Sequence, residues 1–164
     1  LPVRELGKGA NQRCKHQRVG RGCAVYRRPD MPMSCALWSC RWLGNADTAD
    51  LSRPDRAHYV IDVMPDFIVA RDDRTGETRH IEVVQVWVDP RYRDAHRDPA
   101  LRAYLARRAE EGVAALIRYS ATDAFTLFAP RFFDDGLWHE VHGSVREATH
   151  STVELLQGLA QCQR

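Results

Sequence analysis

Asp66 and Glu82 are the two acids of this chain whose placement could do chemistry together. Tyr59 to Met64 and Phe67 to Ala70 alternate as a strand does, Asp72 to Gly76 reads as a turn, and His80 to Val88 reads as a second strand. Carboxylates on neighbouring strands can share one Mg²⁺, which activates water and neutralises charge at a phosphodiester, provided both point to one face. Side chains alternate along a strand, so the register of the hairpin decides the matter. Gly76 suits the left-handed position of a three-residue loop, Arg74-Thr75-Gly76. That loop sets residue 66 opposite 84 and leaves Asp66 and Glu82 diagonal on the same face. A four-residue loop would place them on opposite faces. Gln85 is the third polar candidate. On a regular strand it faces away from Glu82, with Ile81, Val83 and Trp87, and only a bulge at 83–85 would bring it round. His80 shares the face of Glu82. The structural alternative is that Asp66 ends a strand beside Pro65, and that Glu82 pairs with Arg71 or Arg79 across the ladder.

Other clusters carry weaker chemistry. His139, Glu140 and His142, with His150 further on, lack the spacing that sets two histidines on one helical face, and a polar surface turn is the expectation. Cysteines at 14, 23, 35, 40 and 162 lack the close pairs that present two thiolates to a tetrahedral zinc ion, so free thiols and a cytoplasmic protein are expected. Of the 24 basic residues only Lys8 and Lys15 are lysines, so no lysine can titrate in a core formed by later residues.

The elements that position these groups follow from periodicity and capping. Met33 to Leu43 is an apolar, Trp-bearing stretch expected to pack on the core, and 44–57 is loop-like. Asp98-Pro99 opens a helix, and apolar positions at Leu101, Tyr104, Leu105, Ala109, Ala115, Leu116 and Tyr119 extend it past Gly112 to about residue 119. Ala124 to Ala129 reads as a strand. Ser144 to Glu147 forms a capping box that opens a last helix through Leu155, Leu156 and Leu159. The order hairpin, helix, strand, helix predicts an α/β domain, a mixed β-sheet with flanking helices, within 31–164. Arg91, Arg93, Arg97, Arg102, Arg107 and Arg108 follow the second strand. They could track a nucleic-acid backbone or, given the acids interleaved among them, form a solvated face of ion pairs.

A chain of 164 residues suits one domain, and its longest apolar run, Val113 to Ile117, is too short to cross a membrane. No apolar core follows the basic start, which argues against a secretory leader. The formal charge of +2 conceals an asymmetry. Residues 1–28 hold eight Lys/Arg against Glu5 alone, and the remainder holds sixteen against twenty-one acids. Residues 1–30 are expected to be a basic, poorly ordered arm with too little apolar surface to offset the entropy of ordering.

The stretch YVIDVMPDFIVARDDRTGETRHIEVVQVW, followed by a helix and a strand, resembles the PD-(D/E)xK nuclease superfamily. The nearest likeness is to nuclease subunits of heteromeric transposases and to Holliday-junction-resolvase-type domains. The resemblance covers roughly residues 58–129. It implies a restriction-endonuclease-like core, Mg²⁺ bound at Asp66 and Glu82, and catalysis by these two acids with Gln85. It also implies DNA as partner, contacted by Arg71, Arg91, Arg93 and Arg102, and a role in a mobile-element or DNA-repair system beside a partner protein or as a homodimer. The motif lysine falls at position 84, where this chain has Val84. The alternative is therefore a catalytically inactive nuclease-fold module that binds DNA or a partner protein. For the basic arm, a chain begun at Met31 is expected to melt within a few degrees of the full chain. Any DNA affinity it loses should be the most salt-dependent part, which anisotropy titrations at several salt concentrations will show.

Overall fold

The computed structural model describes residues 3–9, 12–18, 21–63, 65–71, 75–133 and 135–143. The helix expected after Ser144, with His150 and Cys162, lies outside the described residues. The chain opens with a 3₁₀ turn, Arg4–Leu6, and a small antiparallel ribbon of β1 (Gln17–Arg18) and β2 (Gly22–Cys23). Before Pro32, Val25 is the one buried residue among those described. The Glu5 carboxylate accepts hydrogen bonds from the Ser34 N–H at 2.9 Å and the Ser34 hydroxyl at 2.7 and 2.8 Å. Short helices follow: α1 (Met33–Leu37), α2 (Arg41–Gly44) and α3 (Pro54–Ala57). Within this stretch Trp42 packs against the core and donates its indole N–H to the Leu51 carbonyl, whereas Leu37 and Leu43 are exposed.

Strands β3 (Tyr59–Ile61) and β4 (Asp66–Arg71) lie end to end along one edge of β5 (Thr78–Val88), both antiparallel to it. Residues 62–65 break the line. Ile61 pairs with Val86 and Asp66 with Val83, so four residues stand opposite two, which makes a bulge. Pro65 has no N–H to give to the ladder, and the Asp62 N–H reaches the Gln85 carbonyl at 2.9 Å. The strand expected to run to Met64 therefore stops at Ile61.

Beyond β5 the chain turns through a 3₁₀ segment, Arg93–Arg97, into α4 (Pro99–Glu110). Its start is as the sequence predicts, with the Asp98 carboxylate accepting the Leu101 N–H at 2.9 Å and Pro99 in the first turn. Its end is a correction. The helix stops at Glu110 instead of running to 119, because Gly112 takes a left-handed φ of 79° and the N–H groups of Gly112 and Val113 fold back on the Ala109 and Arg108 carbonyls. The apolar run beyond it forms β6 (Ala114–Arg118), parallel to β5 and buried on both faces. An antiparallel pair, β7 (Ala124–Phe128) and β8 (His139–Val141), completes a mixed six-stranded sheet. Val84, Val86 and Val88 of β5 meet Leu101, Tyr104 and Leu105 of α4 in the main core. Val83, Ala114, Leu116, Ala124 and Phe128 form a second cluster on the opposite face.

The two readings of residue 112 make opposite forecasts. A helix through this position would gain about 1 kcal/mol from Gly112→Ala. The observed left-handed turn should lose about 1–2 kcal/mol instead, since the new methyl meets no atom within 4 Å and only the backbone is strained. Denaturant unfolding of the two proteins decides the sign.

Candidate functional site

The hairpin of β4 and β5 carries the acids, and its register differs from the expected one. Arg71 pairs with Thr78 and Asp66 with Val83. The loop that joins them is six residues, 72–77, an even number, where a three-residue loop was expected. Gly76 does take a positive φ of 74°, so its left-handed preference fits this longer loop as well. The shift by one residue moves every side chain of β4 to the other side relative to β5. Asp66 shares its face with Val83 and Gln85, while Glu82 stands opposite Phe67 on the α4 side of the sheet.

The consequences for chemistry are direct. Asp66 is half-buried; one carboxylate oxygen accepts the Phe67 N–H and the other accepts the Gln85 side-chain amide, both at 2.9 Å. Glu82 is exposed on the far face, near the Phe67 ring, which stacks on His80 at 5.0 Å between centroids. Val84, where the nuclease motif has lysine, is buried in the main core. Asp66 and Gln85 thus come together and Glu82 does not join them. β5 is regular through 83–87, so Gln85 faces away from Glu82, and the pairing of Asp66 with Val83 sets Asp66 on the face of Gln85. One carboxylate with both oxygens engaged does not fit a shared Mg²⁺, which takes oxygen ligands from several groups. Among the described residues no three His, Cys, Asp or Glu side chains are placed to hold a metal ion.

The arginines separate into two kinds. Arg102 is half-buried. Its Nε donates to the His96 carbonyl at 3.1 Å, its guanidinium lies 4.4 Å from the Trp138 ring centroid, and burial holds its pKa below the usual arginine value. It is a packing residue. Arg91 and Arg93 are exposed, and each is oriented by an acid. Arg91 binds Asp89 through two nitrogens at 3.1 and 2.7 Å. Arg93 binds Asp123 at 2.8 Å and lies 3.7 Å from the Tyr119 ring centroid. These bonds lower the pKa of both aspartates. Arg71 closes β4 at the hairpin end, away from Arg91 and Arg93.

Two features escaped the sequence reading. His96 is buried, with Nδ1 2.6 Å from the Arg93 carbonyl and 3.2 Å from the Tyr119 hydroxyl, and Nε2 3.2 Å from Glu140. Glu140 also lies 3.8 Å from Arg97 and 3.9 Å from Arg102, so it ties β8 to the 93–102 region. The second feature is an open groove of about 620 Å³ beside the stacked rings of His58 and Tyr92. Its only trace in the sequence is the run of arginines from 91 onward. His139, Glu140 and His142, expected on a polar surface turn, lie on and just after β8 and do not converge. His139 bonds Asp135 at 2.7 Å, Glu140 faces His96, and the His142 ring lies against Phe125. Cys14, Cys23, Cys35 and Cys40 are free thiols.

Comparison of the chain with protein-family models, with curated proteins and with solved structures finds no match. No helix among the described residues is long and apolar enough to cross a membrane.

The register predicts a cross-linking pattern. Phe67→Cys with Glu82→Cys places two exposed thiols directly opposite, about 4.5–5.5 Å apart at Cα, and should oxidise to a disulfide. Phe67→Cys with Val83→Cys points the two to opposite faces and should not. Peptide mapping after mild oxidation reads the outcome. Cross-linking in the second pair alone would restore the expected register.

Proposed function

We propose that the chain is a nuclease-like α/β module that binds DNA without cutting it. The observation that carries this reading is the pairing of Asp66 with Val83, which divides the two acids of the motif between opposite faces while Val84 is buried. The likeness to a restriction-endonuclease-like core is supported by the succession of β4–β5 hairpin, crossover helix α4 and parallel strand β6, the order on which the resemblance rests. Binding is supported by charge. Seven of the eight Lys and Arg residues within 1–28 are exposed, as are Arg56, Arg91 and Arg97. Such cations displace counterions from a phosphate backbone, which drives association without reading sequence.

Plasmid DNA incubated with the protein and Mg²⁺ is expected to stay intact, with Asp66→Ala and Glu82→Ala indistinguishable from the parent. Millimolar Mg²⁺ should leave the melting temperature unchanged, since a ligand that binds the native state would raise it. DNA should be retained at low salt, with log affinity falling by about 0.9 per phosphate contact for each unit of log salt. Mg²⁺-dependent nicking that disappears in both variants would restore the enzyme. Absence of DNA binding at low salt would remove the reading altogether.

A further inference from the structure

The groove beside His58 and Tyr92 has features that a purely structural turn does not need. It sits at the carboxyl end of β5, where the neighbour on one side is antiparallel and on the other parallel, and where the chain leaves for α4. His58 follows α3 with a φ of 60°, a left-handed conformation that few residues other than glycine adopt. Its carbonyl accepts the Asp89 N–H at 2.9 Å, and its ring lies flat against Tyr92, 3.6 Å between centroids and 7° from parallel. The strained backbone thus holds an imidazole as backing for one face of Tyr92, which remains 48% exposed.

The charges around this aromatic pair are arranged in two tiers. Arg91 and Arg93 flank Tyr92 in sequence and are fixed by Asp89 and Asp123, so the turn that presents the ring is held from both sides. Arg56 and Arg97 also line the groove and are exposed. Among the described residues no carboxylate is within ion-pair distance of Arg56, and the acids nearest Arg97 are Asp94 at 3.6 Å and Glu140 at 3.8 Å, beyond hydrogen-bond reach. Arg56 thus keeps its donors for an incoming anion, and Arg97, held only by two long ion pairs, can turn donors to one as well. Two acids in the wall, Asp94 and Asp98, oppose an anion there, against Arg56, Arg91, Arg93 and Arg97, which line the same groove. The groove volume is in the range of small-ligand sites. A backed aromatic ring with guanidiniums beside it matches the way unpaired bases are held: stacking is indifferent to base identity, and arginine meets the phosphate.

We propose that this groove binds one unpaired nucleotide of single-stranded DNA, with the base stacked on Tyr92 and its phosphate met by Arg56 and Arg97. The proposal rests on the DNA-binding reading above and adds the form of DNA and the place it is held. The probe is a fluorescent oligothymidylate, compared by anisotropy with a duplex of equal length. The full chain should prefer the single strand. Tyr92→Ala should weaken single-strand binding roughly 5- to 150-fold, and Tyr92→Phe should retain it. Arg97→Ala should weaken it and reduce its salt dependence. Circular dichroism and melting of Tyr92→Ala, an exposed substitution, should match the parent. If DNA binds but Tyr92→Ala changes nothing, or duplex and single strand bind alike, the groove is overturned and the DNA-binding reading survives. If neither form binds, both fall.

Discussion

Strand β5 is the constraint on which the rest of the molecule depends. It carries β3 and β4 on one edge and β6 on the other, so the pairing of every central strand is set by its eleven residues. Its two faces are committed by side-chain alternation. Val84, Val86 and Val88 must lie under α4, because Leu101, Tyr104 and Leu105 bury against them. With that face fixed, Val83 and Gln85 have to face the other way. Which residue of β4 meets Val83 then decides what chemistry the sheet can offer. The bulge at 62–65 slides β4 by two residues relative to β3, which moves Asp66 along β5 and leaves its face unchanged. Because the two extra residues keep the alternation of faces, Asp66 is separated from Glu82 by the pairing of β4 with β5 itself, although both strands read clearly from the sequence.

Those features that depend on short-range chemistry were legible. The Asp98 cap, the proline after it and the alternation of 80–88 each act through neighbours in the chain, and the structure has them where the sequence puts them. What was not legible involved competition between distant terms. Apolar residues after Gly112 keep a helical period, yet those at 114–117 are small, β-branched or leucine, and burial between β5 and β7 suits them as strand. Glycine in a left-handed turn settles that competition. Register was misread for a similar reason: Gly76 reports a positive φ and does not count the residues of its loop. The candidate site shared this fate, because a one-residue slip exchanges Glu82 for Gln85 as the partner of Asp66.

The arginines show the same limit of reading charge from sequence. Arg91 and Arg102 look alike in a basic run, but one is exposed on a turn and the other is half-buried between Trp138 and the His96 carbonyl. Helix α4 turns Arg102 inward because Leu101 and Leu105 fix its rotation against the sheet. Arg91, Arg93 and Arg97 lie instead on the turn and the short 3₁₀ segment after β5, outside α4. There neighbouring acids, and not helical phase, decide which guanidiniums keep donors to spare.

The turn that carries these cations is itself anchored from beneath. His96 is buried with an oxygen facing each ring nitrogen, from the Arg93 carbonyl and Tyr119 on one side and from Glu140 on the other. A buried polar side chain that lost these partners would forfeit roughly 1–3 kcal/mol, so the network resists rearrangement. It joins three separate pieces of chain: the 93–97 turn, the end of β6 and strand β8. Arg93 adds a fourth tie through Asp123, at the turn into β7. The surface formed by residues 91–97 therefore sits on a satisfied polar layer, which in turn sits on the apolar core of α4 and β5. Rigidity of this kind lowers the entropy lost when a partner orders the surface. The sheet that lacks a metal-binding carboxylate pair at its hairpin is thus the same sheet that stiffens the cationic turn at its other end, and both follow from the way β5 is paired.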